Sequence, residues 1–273
     1  MSFDHTITRC DLDVLYRQYN RRERVHPDPL VFLYAYPDIR DREIVGLIAS
    51  SLAYGRVTQI YKSLDRVLEK MGASPCYFLR QSTRRSLNDA FDGFSHRFAT
   101  AENLVNLMLA ITDVLDRYGS ICGCFLDGMT TESDTVLPAL TRFVAALTAG
   151  HSRGLGHLIP LPERGSACKR LNLFLRWMVR KDDVDPGGWK QIPASKLIIP
   201  LDVHMHRVGI LLGFTRRKQA DMRTALEITR AFSRMIPEDP LRYDFTLCRM
   251  GMNGVSVVSQ MSDSREVVVY ADL

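Results

Sequence analysis

The chain has 273 residues and a mass of 31.1 kDa, enough for one large domain or two small ones around a substantial core. With 46% hydrophobic and 25% charged residues, and Gly (17) and Pro (12) near ordinary usage, it is neither disordered nor fibrous in composition. Lys+Arg exceed Asp+Glu by 36 minus 31, or +5, which alone is too mild to imply a polyanionic partner.

The distribution of charge says more. Between Arg164 and Arg234, 15 Lys/Arg stand against 6 Asp/Glu, or +9, which leaves 5 minus 9, or −4, for the rest. Such a field suits phosphate-rich partners, because neutralised phosphates release counterions; it equally suits a solvated basic face. No apolar run reaches the ~18 residues of a membrane helix, and the opening MSFDHTITRCDLD has no apolar h-region, so neither membrane insertion nor export is expected. Cysteines at 10, 76, 122, 124, 168 and 248 form no regular framework and read as reduced thiols of a cytoplasmic protein.

The periodicity is mostly helical and predicts an all-α fold. Arg42 to Tyr54 carries apolar residues around most of its circumference, a buried helix ended by Gly55. Asn103 to Tyr118 places Leu104, Leu107, Met108, Ile111, Val114 and Leu115 at helical spacing, with Gly119 as the stop. A helix near Leu137 to Leu147 precedes AGHSRGLGHLIPLPERG, Ala149 to Gly165, too rich in Gly and Pro for regular structure. Ala167, Leu171, Phe174, Leu175 and Met178 then form an apolar stripe, with Lys169, Arg176 and Arg180 on another face, so this helix reads as amphipathic and basic. Asp182 to Pro193 is a loop by its Pro and Gly-Gly content. A helix follows from Asp202 as N-cap, with Leu201, Met205, Val208 and Leu212 as its buried edge and Gly213 at its end. Helices over Gln219 to Arg234 and Pro240 to Met250 come next, the second with Asp239 as N-cap and Gly251 beyond its end. In the tail, two β-branched runs around a polar turn between Val255 and Tyr270 predict a small hairpin.

Two residues suggest chemistry. An aspartate at a helix N-terminus is stabilised as the anion by exposed N–H groups and the macrodipole, by about 0.3 to 1 kcal/mol, so Asp202 can stabilise a developing oxocarbenium ion or help deprotonate an amine. Lys169 is the matching nucleophile. To act at neutral pH it needs partial burial or a cationic neighbour such as Arg170. Read singly, Asp202 is a plain cap and Lys169 a solvated cation.

Local wording favours the chemical reading. The segment IPLDVHMHRVGILLGF, Ile199 to Phe214, resembles the catalytic-aspartate segment of the helix-hairpin-helix DNA glycosylase superfamily, where the aspartate is followed by a small or hydroxyl residue, then His, then Arg-Val. Asp202, Val203, His204, Arg207 and Val208 stand in those places. Upstream, LPERGSACKRLNLFLRWM, Leu161 to Met178, is similar to the hairpin segment whose lysine forms the Schiff base in the bifunctional members, and Lys169 matches that lysine. The likeness extends over roughly Asp28 to Gly251, and the whole looks like a bacterial branch of that superfamily. The long spacing from Lys169 to Asp202 resembles the archaeal 8-oxoguanine glycosylases of the AGOG type more than the endonuclease III type.

The resemblance implies a two-lobed glycosylase-like unit, with lobes of roughly 45–165 and 1–44 plus 166–254, and a tail over 255–273. It implies a glycosylase and abasic-site lyase acting on an oxidised purine, best matched by 8-oxoguanine, in double-stranded DNA, with Lys169 and Asp202 catalytic. Trp177 and Trp189 are candidates for stacking on a flipped base, although both also read as core aromatics. Tyr54, Gly55 and Arg56 fall near where superfamily members fill the vacated stack. Gly165, Arg170, His204 and Arg207 complete the expected DNA contacts. The hairpin segment departs from the usual Leu-Pro-Gly-x-Gly, retaining Gly165 alone.

No iron–sulfur cluster is expected, since no four-cysteine run lies near the C-terminus. No metal site is expected either: His204 and His206, at i and i+2, point apart on a helix, and Cys122-Gly-Cys124 lacks zinc or redox spacing. The alternatives are a non-catalytic nucleic-acid-binding protein of the same fold and, more remotely, a metal-dependent phosphodiesterase built on His204 and His206.

Overall fold

The computed structural model describes residues 8–151 and 154–252, most of them helical. The all-α class follows, with one two-stranded addition. The predicted hairpin over 255–270 lies outside the described residues.

Among the described residues twelve α-helices occur in this order: α1 (Arg9–Tyr19), α2 (Ile39–Ser51), α3 (Val57–Met71), α4 (Pro75–Gln81), α5 (Arg84–Ala90), α6 (Ala101–Tyr118), α7 (Ile121–Asp127), α8 (Leu137–Thr148), α9 (Lys169–Val179), α10 (Val203–Leu211), α11 (Met222–Met235) and α12 (Asp244–Met252). The buried hydrophobic side chains form one cluster. Within it α6, α7 and α8 pack on one another, α12 packs on α10 and α1, and α2 touches α4, α7 and α9. Buried on nearly all sides from Ile44 to Ser51, α2 is the helix around which the others are arranged.

Local chemistry sets most boundaries. Thr100 and Asn103 close a capping box at the start of α6, and Gly119 ends it in the left-handed region at φ 76°. The stretch from Ala149 to Gly165 contains only a short 3-10 turn, Pro162–Arg164, among its described residues. Of the boundaries that differ from expectation, two lie where side chains from elsewhere claim the local groups. α2 stops at Ser51 rather than Tyr54, and the Ser51 carbonyl accepts Arg170 Nη1 at 2.6 Å. α12 begins at Asp244 rather than Pro240, since the Asp239 carboxylate expected to cap it is instead gripped by Arg180 at 3.0 and 3.1 Å. Gly251 lies inside α12, where a Cβ would come within 3.1 Å of His204 Nδ1.

The small sheet was not anticipated. Strands β1 (Ser95–His96) and β2 (Ala99–Thr100) pair antiparallel, Ser95 with Thr100 and His96 with Ala99, leaving Arg97 and Phe98 as the tip.

The basic stripe expected on α9 is absent from its surface. Arg176 and Arg180 are only 2% and 4% exposed. Arg176 donates to Asp185 at 3.1 Å and Asp244 at 2.6 Å, while Arg180 bonds Asp185, Asp182 and Asp239. Burial opposes both charges, but the surrounding carboxylates prevail and hold both guanidiniums above their ordinary range. Exposed cations of this region are instead Arg164, Lys181, Lys190, Arg207, Arg216 and Lys218, together with one face of α11 at Arg223, Arg230 and Arg234.

Candidate active site

Lys169 is the first residue of α9 and Asp202 the N-cap of α10. Asp202 Oδ1 accepts the N–H groups of His204 at 2.9 Å and Met205 at 2.8 Å. Its second oxygen, Oδ2, lies 3.4 Å from Lys169 Nζ. The cap thus uses one oxygen and aims the other at the amine, and the pair brings two helix N-termini together across 33 positions of chain. No side chain caps α9, which Cys168 enters in the left-handed region at φ 46°. Convergent N-termini and an ammonium group create positive potential suited to an anion, and one fixed carboxylate stands within it.

Asp202 has a further neighbour that the sequence did not reveal. Cys248 Sγ, on α12, lies 3.9 Å from Asp202 Oδ1 and 3.8 Å from Asp244 Oδ1. Burial first, then Asp244 and Asp202, keeps this thiol well above the ordinary cysteine range, so it remains a donor. Asp244 also receives Arg176. A polar chain therefore runs from Lys169 through Asp202, Cys248 and Asp244 to the buried arginines. Its members come from α9, α10 and α12, and no local pattern in the sequence announces it.

Lys169 is partly buried: its side chain is 40% exposed, against 17% for Asp202. Arg170 is not a free cation beside it. Its guanidinium donates to the carbonyls of Ser51 and His157 and lies 5.0 Å from the centre of the Tyr54 ring. It braces the start of α9 against the end of α2 and the 154–158 segment.

The other predicted site residues divide sharply. Trp177 and Trp189 are 0% and 1% exposed, so neither ring is available to a base. Trp189 donates its indole N–H to Glu43 at 3.1 Å, and Glu43 also accepts the N–H groups of Ile121 and Cys122 at the start of α7. The stacking expectation is corrected to core packing, the apolar stripe of α9 and the 182–193 loop having turned both indoles inward. Tyr54 is also committed: its ring meets the edges of His96 and His157, both with centroids at 4.7 Å, and its hydroxyl donates to the His96 carbonyl at 2.9 Å. Arg56, Arg207 and Gly165 are exposed. Gly165 takes φ 75°, and its carbonyl accepts Met222 N at 3.2 Å, docking the start of α11 on the Pro162–Arg164 turn. His204 packs on Gly251, while His206 Nε2 donates to the Arg217 carbonyl at 2.8 Å.

Fold and site together define a helical protein whose candidate site is an amine–carboxylate pair at two meeting helix N-termini. The chain belongs to the family described as a protein of unknown function, DUF2400, whose model matches residues 28–253. Searches of curated proteins and of solved structures return no match.

Proposed function

We propose that this protein is a DNA glycosylase with associated abasic-site lyase activity, acting in base excision repair on an oxidised purine, with 8-oxoguanine the best match. The observation that carries the reading is the 3.4 Å approach of Lys169 Nζ to Asp202 Oδ2, two residues singled out by separate sequence resemblances. In this reading the helices form the two-lobed helix-hairpin-helix arrangement, and the partner is duplex DNA carrying a damaged base.

The chemistry follows from the two groups. Once the Lys169 ammonium has given one proton to water, Asp202 Oδ2 accepts a hydrogen bond from the neutral amine and orients its lone pair, while Oδ1 stays committed to the α10 cap. The damaged nucleotide leaves the stack. Lys169 Nζ forms a bond to C1′ as the C1′–base bond breaks, its electron pair departing with the base, which takes up a proton. The anionic carboxylate stabilises the positive charge developing on the sugar. Loss of the amine proton and opening of the ring give an imine. Removal of a C2′ proton then expels the 3′ phosphate by β-elimination, leaving a nicked strand.

Borohydride reduction of the imine tests this. Wild type should form a covalent adduct on duplex DNA carrying 8-oxoguanine or an abasic site, and Lys169→Gln should form none. An equal yield from both proteins, or no adduct from wild type on any lesion, rejects the proposal. The half-exposed Lys169 favours one second reading, a non-catalytic nucleic-acid-binding protein, in which Lys169→Gln binds abasic duplex as wild type does and neither protein cuts it.

A further inference from the structure

We infer that a cleft between the 3-10 helix Pro29–Ala35 and the end of α3 binds an aliphatic polyamine, with its ammonium groups at Asp65 and Glu69 and its carbon chain against Phe32 and Tyr36. The site is independent of the glycosylase reading. The cleft has a volume of about 510 Å³; Phe32, Ala35, Tyr36 and Leu68 form its walls, and Asp65 and Glu69 supply its charge. No Lys or Arg is among its lining residues.

The two acids lack any partner within the protein. They stand one turn apart on α3, which puts their Cβ atoms about 5 to 6 Å from each other, a spacing at which like charges repel. Both residues are exposed, and among the described residues neither carboxylate makes an ion pair or a hydrogen bond. The cations of the same helix do not neutralise them. Arg66 donates to the carbonyls of Asp92 and Gly93 at 2.9 and 3.3 Å, and Lys62 and Lys70 form no ion pair among the described residues. Glu69 also lies in the last turn of α3, where carbonyls without helical partners and the macrodipole disfavour an anion and welcome a cation. The fold thus holds a negative potential here that a bound cation would offset.

The walls decide which cation. Phe32 is braced by Tyr61, with ring centroids 5.0 Å apart, and Tyr36, 9% exposed, donates its hydroxyl to the Gly72 carbonyl just past α3 at 3.4 Å. Aromatic rings attract ammonium groups through their π faces. A divalent metal instead demands a shell of oxygen ligands, and among the described residues no group of three or more His, Cys, Asp or Glu side chains could hold one. Ala35 and Leu68 offer apolar surface to methylene groups, and two carboxylates one turn apart suit two ammonium groups a few carbons apart. A linear aliphatic polyamine satisfies all of these at once.

Isothermal titration of the full-length protein with spermidine at fixed ionic strength tests the site. Wild type should bind one equivalent. The double variant Asp65→Asn/Glu69→Gln should bind about tenfold more weakly or worse, while melting as wild type does, because both acids are exposed and unpaired. Phe32→Leu, which keeps an apolar wall and removes the ring, should weaken binding about twofold to fivefold. An unchanged affinity in the double variant, no binding by wild type, or displacement of spermidine by magnesium chloride at matched ionic strength overturns the proposal. None of these readouts involves adduct formation at Lys169, so this site and the glycosylase reading fail separately.

Discussion

Asp202→Asn separates the two duties of one side chain. Asparagine caps helices about as well as aspartate, and its Oδ1 can still accept the His204 and Met205 N–H groups, so α10 should form. What is lost is charge. At 3.4 Å two unit charges attract by about 1 kcal/mol at the dielectric of water, and the 40% exposure of Lys169 allows no more than the ~0–1 kcal/mol usual for exposed pairs. The helix dipole adds about 0.3 to 1 kcal/mol. Asp202→Asn should therefore lower unfolding stability by only about 1 to 2 kcal/mol, measured by urea titration, while cutting the adduct-forming rate on the order of a hundredfold or more. Asp202→Ala should lose about 1 kcal/mol more stability, from the cap, for the same catalytic loss. An Asp202→Asn protein that folds and retains a near-wild-type rate would refute the reasoning, because the carboxylate would then be a cap and nothing else.

Three further outcomes are expected. Asp185→Asn, which strips a fully buried carboxylate from both Arg176 and Arg180, should cost about 3 to 5 kcal/mol, seen as a lower urea midpoint at unchanged slope. Burial holds the imidazoles of His96 and His157 below the ordinary histidine value of 6.5. The unfolded chain therefore takes up protons first as pH falls through 6.5, so their contribution is full above that value and is lost below it. Thermal midpoints should fall on acidification from pH 7, less so in His96→Asn. Replacing Arg223, Arg230 and Arg234 together by Gln should flatten the dependence of log K on log salt for duplex binding by up to about 2 to 3, since each phosphate left unneutralised removes about 0.9 from the slope; an unchanged slope would place the DNA elsewhere.

Legibility in the sequence followed the range of the interactions. Asp202 was readable as a cap because capping spans three residues, and α6 was readable because its apolar period and both ends are local. The burial of Arg176 and Arg180 was not, since Asp244 and Asp239 lie 68 and 59 positions downstream and a helical wheel alone assigns such arginines to water. The end of α2 and the start of α12 were displaced by the same kind of distant claim. Trp177 and Trp189 were ambiguous until burial decided them. The β1–β2 hairpin left no sign, because its tip is Arg97-Phe98 and not the Asn-Gly or Gly-containing pair such turns favour. Lys169 could be matched with Asp202 only through resemblance, and Cys248 carried no signal at all.

Because the oxygen aimed at Lys169 belongs to the carboxylate that starts α10, the proposed constellation lasts only while that first turn holds. Helix ends open more readily than a protein's interior, so brief fraying at one end would scatter the machinery while the rest stayed native. On gentle heating, turnover should fade reversibly ahead of the cooperative melt, and return on cooling.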